Sequence, residues 1–215
     1  MRLPPPDGSL DSKLAAHFGL IAGVDEVGRG ALAGPLVVAA VILDPNRVPA
    51  GLDDSKRLTP RVRERLAHEI VQSAIAWAVA ERSAADVDRL NVLEATREAM
   101  AEAVACLSPL PGCTVFDAVA PMGMASPTIV EARADARYLC VAAASIVAKV
   151  ARDATMRSLA GEHAGYGWER NKGYGTREHL AAIERLGPSR LHRLSFAPVR
   201  VLRCNAGQAK SPWRR

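Results

Sequence analysis

The sequence is poor in aromatic residues, in paired cysteines and in long apolar runs, and each shortage excludes a class of protein. Aromatic residues are 4% of the 215 residues, so the core has to be built mainly from Ala, Val, Leu and Ile. No apolar run reaches the roughly 18 residues that a membrane span needs. Cys-x-x-Cys spacing and a matching histidine pair are both missing, which argues against a zinc site. We therefore predict reduced, partly buried thiols of a cytoplasmic protein at Cys106, Cys113, Cys140 and Cys204.

The ends of the chain differ from its body. The formal net charge is +5, but the segment from Arg203 onward supplies four of these charges and holds no acid. Residues 203–215 are therefore predicted to be a basic, disordered tail, and nucleic-acid binding has to be argued from a specific site in the nearly neutral body. At the other end, the prolines of "MRLPPPDGSL" and the lack of an apolar core argue against a signal peptide and predict a loose segment over residues 1–19.

Apolar periodicity predicts an α/β domain with a helical C-terminal part. Strands are predicted at 20–27, 35–43, 75–82, 112–119 and 126–133. Helices are predicted at 60–74, 83–106, 135–159 and 176–187. Thr59 and Pro60 are typical of a helix N-terminus, Ser83 with Asp86 resembles a capping box, and Gly187 is typical of a helix end.

Two adjacent acids end the first strand, in the stretch "GVDEVGRG" at residues 23–30. Neighbouring side chains of a strand point to opposite faces, so Asp25 and Glu26 face one site only where the strand ends or bends. Gly28 and Gly30 permit such a bend. The ordinary explanation of this pair alone is a strand end whose acids reach solvent.

Two further acids follow the same pattern. Asp117 closes the apolar run "CTVF", and Asp135 lies where a helix is predicted to start. Alone, the first is typical of a turn and the second of a helix cap. Together, three chain segments each bring a carboxylate to the end of an element, and such ends commonly lie together in α/β folds.

Clustered carboxylates predict a metal site. Four anions repel one another unless divalent cations lie between them, and oxygen-only ligands select the hard ions Mg²⁺ or Mn²⁺. Two such ions, about 3.5 to 4 Å apart, activate a water and stabilise the leaving oxygen of a phosphodiester. The candidate ligands are Asp25, Glu26, Asp117 and Asp135.

The stretch "GRGALA" at residues 28–33 also fits the dinucleotide pattern G-x-G-x-x-G/A. That fingerprint has to open a helix whose N-terminus binds a pyrophosphate. Here Pro35 and the β-rich "LVVAAVIL" follow at once, and two carboxylates that would repel phosphates precede the loop. The pattern therefore argues against a Rossmann site.

Several linked blocks of the chain resemble ribonuclease HII, the type 2 ribonuclease H of bacteria. These are "GVDEVGRGALAGPLVVAAVIL", "LDDSKRLTP", "LNVLEATREAM", "AASIVAKVARD", "GYGWERNKGYGT" and "HRLSFAPV", which occur in this order over roughly residues 20 to 202. The related ribonuclease HIII has a Gly-x-Gly loop without arginine and an extra N-terminal domain. Arg29 and the short N-terminus favour HII.

The resemblance implies a ribonuclease H-like mixed sheet flanked by helices, with the catalytic domain at 20–202. It implies endonucleolytic cleavage of RNA in RNA/DNA hybrids and cleavage on the 5′ side of a single ribonucleotide embedded in duplex DNA, leaving a 3′-hydroxyl and a 5′-phosphate. By motif, the metal-binding and catalytic acids of the family fall on Asp25, Glu26, Asp117 and Asp135. A monomer that acts on nucleic acid, with Mg²⁺ or Mn²⁺ and without a membrane, is expected.

The sequence departs from the family pattern in three places. Ala118 stands where the third acid is usually followed by Gly, Arg133 and Ala134 stand where Lys-Gly often precedes the fourth acid, and Asn171 stands where His is frequent. None removes a ligand. Asp153 is an alternative fourth acid, but the motif favours Asp135, and we expect Asp153 on a helix surface, paired with the lysine one turn before it.

An enzyme that cuts beside one ribonucleotide has to sense a 2′-hydroxyl. The Gly28-Arg29-Gly30 loop suits this because residues without Cβ allow a close approach of the backbone, although a tight turn would explain it too. The resemblance adds that this loop grips the ribose while Tyr174 packs on the following deoxyribose. Without it, Tyr174 would be read as a partly buried core residue.

Three lysines are candidates for contacts with backbone phosphates, which position a duplex without reading its sequence: Lys56, Lys149 and Lys172. Helical spacing places Ser145, Lys149 and Arg152 on one stripe, for which a solvated face is the default interpretation.

Two other classes remain open alternatives. A non-catalytic RNA/DNA-binding module would have lost a metal-binding acid, and all four are present. A junction resolvase of the same fold would share the acids but has no need for the Gly-Arg-Gly loop with Tyr174.

Overall fold

The computed structural model describes residues 4–202, which form two compact units. The first unit takes in the chain up to Val27 together with Val37–Glu81 and Thr96–Ala151. The second takes in Gly28–Leu36, Arg82–Ala95 and the chain from Arg152 onward. The predicted basic tail and Cys204 lie outside the described residues.

The five strands lie where the apolar patterns predict them, and the helices agree with the prediction in part. The strands are β1 (Ile21–Val27), β2 (Leu36–Ile42), β3 (Ala76–Arg82), β4 (Cys113–Asp117) and β5 (Thr128–Glu131). The helices are α1 (Ser9–Phe18), α2 (Pro60–Ser73), α3 (Ala84–Leu90), α4 (Val92–Ala105), α5 (Leu139–Glu162), α6 (Trp168–Asn171) and α7 (Arg177–Leu186), with a 3₁₀ turn at Ala134–Ala136. Within residues 4–202, no helix is both long and apolar enough to cross a membrane.

The first unit is built on a five-stranded mixed sheet in the order β3-β2-β1-β4-β5. β1 pairs antiparallel with β2 and parallel with β4, and β4 pairs parallel with β5. Val24 lies opposite Phe116 in the parallel pair, so the ends of β1 and β4 lie side by side. The predicted mixed α/β sheet is confirmed.

Every residue of β2 is buried because helices cover both faces of this central strand. Val38, Ala40 and Ile42 pack in one apolar cluster with residues of α4. Val37, Ala39 and Val41 pack in another with α2 and α5. A strand that is covered on both faces needs apolar residues at every position and not only at alternate ones, as in "LVVAAVI".

α5 packs closely on β1 through one glycine. A Cβ on Gly23 would lie 2.1 Å from the carbonyl carbon of Cys140, a distance that no side chain tolerates. Asp25 lies two residues further along the strand and therefore on the same face. Gly23 thus brings the helix that carries Ser145 against the face of β1 that carries Asp25.

The helix predicted over 83–106 is in fact two helices, and this prediction was wrong. The capping box of Ser83 and Asp86 is present and starts α3. α3 ends at Asn91, which has a φ of 69°, outside helical geometry. The Asn91 side chain accepts hydrogen bonds from the N–H groups of Leu93 and Glu94 and so caps a second helix, α4.

Residues 1–19 were expected to form a loose segment, but this segment contains helix α1 (Ser9–Phe18), so the expectation was wrong for the helix. Its Asp11 carboxylate accepts hydrogen bonds from the N–H groups of Leu139 and Cys140 at 2.9 and 3.0 Å, in the first turn of α5. Leu10 and Leu14 pack on an apolar cluster of the sheet. The helix is stabilised by contacts distant in sequence, which a local pattern does not show.

The second unit has its own apolar cluster, built around Trp168 and Met156, both fully buried. α7 begins at the cap Thr176 and ends at Gly187, as predicted, and contributes Ile183 to this cluster. A smaller cluster joins Leu36 and Val87.

Candidate active site

Three of the four predicted acids lie together in the first unit. Asp25 lies near the end of β1, Asp117 is the last residue of β4, and Asp135 lies in the 3₁₀ turn before α5. One carboxylate oxygen of each lies within 4.8 Å of the others. The parallel pairing of β1 with β4 places the first two side by side, and the chain after β5 returns to bring the third.

Hydrogen bonds hold these carboxylates in place. Asp25 Oδ1 accepts from the N–H of Glu26 at 2.8 Å, and the Ser145 hydroxyl donates to the same carboxylate. Ser145 in turn is 2.9 Å from the hydroxyl of buried Ser55. Asp117 Oδ1 accepts from the N–H of Ala134 at 2.9 Å. The orientation of the group is therefore set by the fold.

The group is electrostatically unfavourable by itself. Burial raises the pKa of the Asp25 carboxyl well above its ordinary value, and the charge of Glu26 raises it further against the hydrogen bond from Ser145. Burial also raises the pKa of Asp135, and repulsion from Asp117 adds to the rise. A divalent cation between the carboxylates would offset this repulsion and favour their ionised forms. The donor set, oxygen atoms only, fits a hard ion of the Mg²⁺ or Mn²⁺ type.

Glu26 is not a member of this group of three. In the ladder, Glu26 lies opposite Val38 and Val27 lies opposite Val37, and β1 ends at Val27, one residue after Glu26. Strand alternation starts the Glu26 side chain on the face opposite to that of Asp25. Its charge nevertheless acts on Asp25, and its role as a fourth ligand stays a prediction.

The backbone beside two of the acids takes a conformation that favours glycine. Ala118 has a φ of 55° and forms a tight turn in which the N–H of Val119 donates to the Asp117 carbonyl oxygen at 2.6 Å. Arg133 has a φ of 62° and directly precedes the Ala134 amide that donates to Asp117. The structure therefore places two strained residues next to the site.

Lys56 lies beside the carboxylates. Its Nζ is 3.8 Å from Asp135 Oδ2, although the side chain is 78% exposed. Partial desolvation opposes the charged form of Lys56, but attraction to Asp135 and to Asp54 outweighs it and raises the pKa of the ammonium group. Lys56 therefore remains cationic near the acids, where a phosphate contact is still a prediction.

The loop predicted to read the ribose lies in the second unit and is joined there to the segment of Tyr174. The carbonyl oxygen of Gly173 accepts from the N–H groups of Leu32 and Ala33 at 2.8 and 3.2 Å. A Cβ on Gly173 would lie 2.4 Å from the Ala33 oxygen, so only glycine permits this approach. The structure thus brings together the two segments that the sequence predicted to act on one substrate.

Gly28 needs to be glycine for two reasons. Its φ of 98° is one that other residues rarely adopt, and a Cβ there would lie 2.2 Å from Nε of Arg152. Arg29 is half-buried and Gly30 is exposed. The exposed part of the loop is thus the part that we expect to meet a sugar.

Asn171, the third departure from the family pattern, shapes the turn before Tyr174. Its amide Nδ2 donates to the Tyr166 carbonyl oxygen at 2.7 Å, and its Oδ1 accepts from the N–H of Gly173 at 2.8 Å. Both bonds are buried. Asn171 is therefore a structural residue of this loop.

A chain of hydrogen bonds through two buried histidines ends on the Tyr174 backbone. Trp168 Nε1 only donates, so His179 Nε2, 3.0 Å away, accepts, and His179 Nδ1 donates to the Tyr174 carbonyl oxygen. The N–H of Ser189 donates to His192 Nδ1, which leaves His192 Nε2 to donate to His179 at 3.2 Å. Burial lowers the pKa of His179, and it lowers that of His192 to about 4 with a contribution from the His179 charge. Both imidazoles are therefore neutral at pH 7.

The other predicted positions on α5 give a mixed result. Ser145 and Arg152 are fully buried, so the predicted solvated stripe was wrong, and Asp153 is only 9% exposed and not a surface residue. Lys149 is half-buried. Lys172 has a φ of 52° and its ammonium group donates to the Glu169 carbonyl oxygen, while its role toward phosphate stays a prediction.

Sequence reasoning missed the residues that support the site. Ser55, Ser145, Arg152 and Arg193 were assigned no such role, and neither were the two histidines. The sequence pointed to one of them, since Arg193 belongs to "HRLSFAPV", one of the blocks that carry the family resemblance. Whether a polar residue is buried depends on the tertiary structure. In the sequence, a stripe of buried polar residues on a helix has the same spacing as a solvated face.

Comparison with known proteins agrees with the sequence resemblance and with this geometry. Residues 22–199 match the family model described as Ribonuclease HII. A ribonuclease HII of Ruegeria pomeroyi is 49% identical over 196 residues, which cover 90% of this chain and 83% of the relative. The ribonuclease H2 of Pyrococcus horikoshii OT3 superimposes with a TM-score of 0.75 at 27% identity, over 86% of this chain and 98% of the other. The ribonuclease HII in a PCNA complex from Archaeoglobus fulgidus superimposes with a TM-score of 0.72 at 29% identity, over 85% and 96%. The chain belongs to the ribonuclease HII family of metal-dependent endonucleases.

Proposed function

We propose that this chain hydrolyses the RNA strand of RNA/DNA hybrids and also cuts duplex DNA on the 5′ side of a single embedded ribonucleotide, leaving a 3′-hydroxyl and a 5′-phosphate. The observation that carries the proposal is the group of Asp25, Asp117 and Asp135, whose carboxylates lie within 4.8 Å of one another inside the range that matches the family. Such a group binds cations far better than it binds an anionic substrate directly.

Asp25, Glu26, Asp117 and Asp135 would hold two divalent cations, Mg²⁺ or Mn²⁺. When bound, such ions supply an activated water and neutralise the charge that develops on the leaving oxygen of the phosphodiester. The protein keeps the ligands in place: Ser145 and the Glu26 amide orient Asp25, and the Ala134 amide orients Asp117.

The 2′-hydroxyl would be read by the Gly28-Arg29-Gly30 loop, and the ring of Tyr174 would pack on the next sugar. Support comes from the hydrogen bonds that join the two segments through Gly173. The duplex would be positioned by Lys56, Lys149 and Lys172 through phosphate contacts that carry no sequence information. This division of labour predicts strong salt dependence of binding with little dependence on base sequence.

We expect the chain to act as a monomer in the cytoplasm, in ribonucleotide excision repair. The complex of the Archaeoglobus fulgidus relative with PCNA supports a partner from DNA replication or repair.

The test is cleavage of a labelled DNA duplex that contains one ribonucleotide, with Mg²⁺, with Mn²⁺ or with chelator, mapped at nucleotide resolution. A metal-dependent cut immediately 5′ of the ribonucleotide is expected. Activity confined to long hybrids would keep the metal site but overturn the assignment of the Gly28-Arg29-Gly30 loop. A protein that binds both substrates and cuts neither would be a binding module.

A further inference from the structure

Two arginines of the second unit are completely buried, and both donate to backbone carbonyl groups. The guanidinium of Arg152 donates to the carbonyl oxygens of Pro35, Lys172 and Ala33 at 2.8, 2.9 and 3.2 Å. Its carbon Cζ also lies 5.2 Å from the centre of the Tyr174 ring. Arg152 therefore links the segment after the glycine loop to the segment of Tyr174.

Arg193 acts on the glycine loop itself. Its Nη1 donates to the carbonyl oxygens of Gly28 and Arg29 at 2.7 and 2.9 Å, and its Nη2 donates to that of Gly34 at 3.1 Å. The planar group lies over the ring of Phe196, with 5.3 Å between Cζ and the ring centre. These three bonds all go to one loop, 159 to 165 residues away in sequence.

This arrangement determines which way two peptide groups point. In a planar trans peptide, the C=O of one residue and the N–H of the next point in opposite directions. The carbonyls of Gly28 and Arg29 both point toward Arg193, so the N–H groups of Arg29 and Gly30 point away from it. The planar guanidinium fixes the positions of Nη1, which donates to Gly28 and Arg29, and of Nη2, which donates to Gly34, and the freely rotating ammonium of a lysine does not supply this rigid geometry.

A purely packing role explains the arrangement less well. A buried cation is costly, and a well-packed apolar side chain at the same place is often as stable or more so. Burial and, to a smaller extent, the charge of Arg152 together lower the pKa of the Arg193 guanidinium to about 10. The hydrogen bonds that offset this cost are concentrated on the loop predicted to meet the ribose.

We propose that Arg193 is a positioning residue for ribonucleotide recognition, because its guanidinium orients the Gly28 and Arg29 peptide groups before the substrate binds. Arg193 does not touch the substrate; it acts through the loop. The inference rests on the proposed function, since it assumes that this loop reads the 2′-hydroxyl.

The experiment measures kcat and KM of wild type and Arg193→Lys on two substrates, a DNA duplex with one ribonucleotide and a long RNA/DNA hybrid. For the variant we expect a loss of about tenfold or more in kcat on the single ribonucleotide, a smaller loss on the hybrid and a nearly unchanged KM, since phosphate contacts elsewhere hold the duplex. The Mn²⁺ concentration for half-maximal activity should not change, because the carboxylates belong to the first unit. The control is Ile183→Val, which weakens the apolar cluster of the same unit without touching the loop and should leave the ratio of the two activities at the wild-type value.

The outcomes separate the two ideas. If wild type fails to cut 5′ of the ribonucleotide, the proposed function is wrong. If wild type cuts there and Arg193→Lys keeps the wild-type ratio, the proposed function stands and the positioning role is wrong.

A measurement on the wild-type protein covers the case in which the variant does not fold. The N–H groups of Ala31, Leu32, Ala33 and Gly34 donate to backbone oxygens of the second unit. A loop that is oriented in advance requires slow hydrogen exchange at these four amides in the free enzyme. Exchange at the rate of an open loop would overturn the inference.

Discussion

The carboxylate group of the first unit and the loop assembly of the second unit carry opposite buried charges and handle them differently. In the first unit, Asp25 and its neighbours repel one another, and the pKa of Asp25 is raised well above its ordinary value. In the second unit, Arg152 and Arg193 are equally buried, but their guanidinium groups donate to six backbone carbonyls. The carboxylate group could bind a cation from solution, whereas the guanidinium groups are held by backbone carbonyls of the protein, with Nε of Arg193 buried and unpaired within residues 4–202.

This difference indicates what favours binding in each region. Ligands held close together against their own repulsion bind a cation strongly, because the cation relieves that repulsion. A recognition loop whose peptide groups are already oriented loses little conformational freedom when it binds a sugar. We therefore expect metal binding to change the first region and to leave the second region unchanged.

The largest effect is expected from Asp25→Asn, which breaks the first region. Removing one ligand charge should lower kcat by about 10³-fold or more, because several kcal/mol of charge stabilisation are lost. Binding to an uncut duplex should remain within a few-fold, since phosphate contacts do not involve Asp25. The measurements are single-turnover cleavage and a binding titration in Ca²⁺ or chelator.

The matched control is Asp44→Asn, an acid of the same unit that only accepts a hydrogen bond from the Asn46 amide in a turn. It should cleave at the wild-type rate. Cleavage by Asp25→Asn within a few-fold of wild type would rule out the assignment of the metal ligands.

The second region should respond to acid through its histidines. The pKa of His192 is about 4 in the folded protein against an ordinary value of 6.5. As pH falls below 6.5, the His192 imidazole binds a proton in the unfolded chain but remains neutral in the folded chain. The contribution of the neutral His192 ring to the free energy of unfolding is therefore fully present above pH 6.5 and falls by about 3 kcal/mol toward pH 4.

Urea unfolding of wild type and His192→Gln between pH 4 and 7.5 isolates this contribution from that of the carboxylates, which both proteins share. The difference between the two proteins should shrink as pH falls. A difference that is independent of pH would show that His192 is not buried as a neutral ring.

Tyr174→Ala should affect recognition and not the metal site. We expect about a tenfold loss at a single embedded ribonucleotide and a smaller loss on a long hybrid, since many registers of a hybrid are productive. Tyr174→Phe is the control, because it keeps the ring that faces Arg152 and should cleave almost normally. Equal losses on both substrates would remove the role of Tyr174 at the junction.

The smallest effect is expected at Ala118, whose φ of 55° is unfavourable for any residue with a Cβ. Ala118→Gly should stabilise the protein by about 0.5 to 1 kcal/mol, or roughly 2 °C in Tm for a chain of this size. Ala85→Gly, in the exposed face of α3, should destabilise it by about 1 kcal/mol. Opposite signs for the same substitution would confirm the strain, and equal signs would contradict it.

Much of the secondary structure was predictable because its signals are local. The apolar runs of β1 and β2, the Thr59-Pro60 start of α2 and the Gly187 end of α7 are all visible in the sequence. The break at Asn91 was missed because apolar residues continue on both sides of it, although asparagine is a favoured helix cap. Helix α1 was missed because Asp11 is tied to residues more than a hundred positions away.

The candidate site divides in the same way. The sequence by itself determined which acids end which elements and which glycines allow a close approach of the backbone, since strand alternation, turn chemistry and the absence of a Cβ are local properties. Only the tertiary structure decided that Asp25, Asp117 and Asp135 meet, because the parallel pairing of β1 with β4 and the 3₁₀ turn before α5 bring them together. It also decided that Arg152 and Arg193 are buried, since the carbonyl groups that make a buried guanidinium tolerable come from segments 20 to 165 residues distant in the chain.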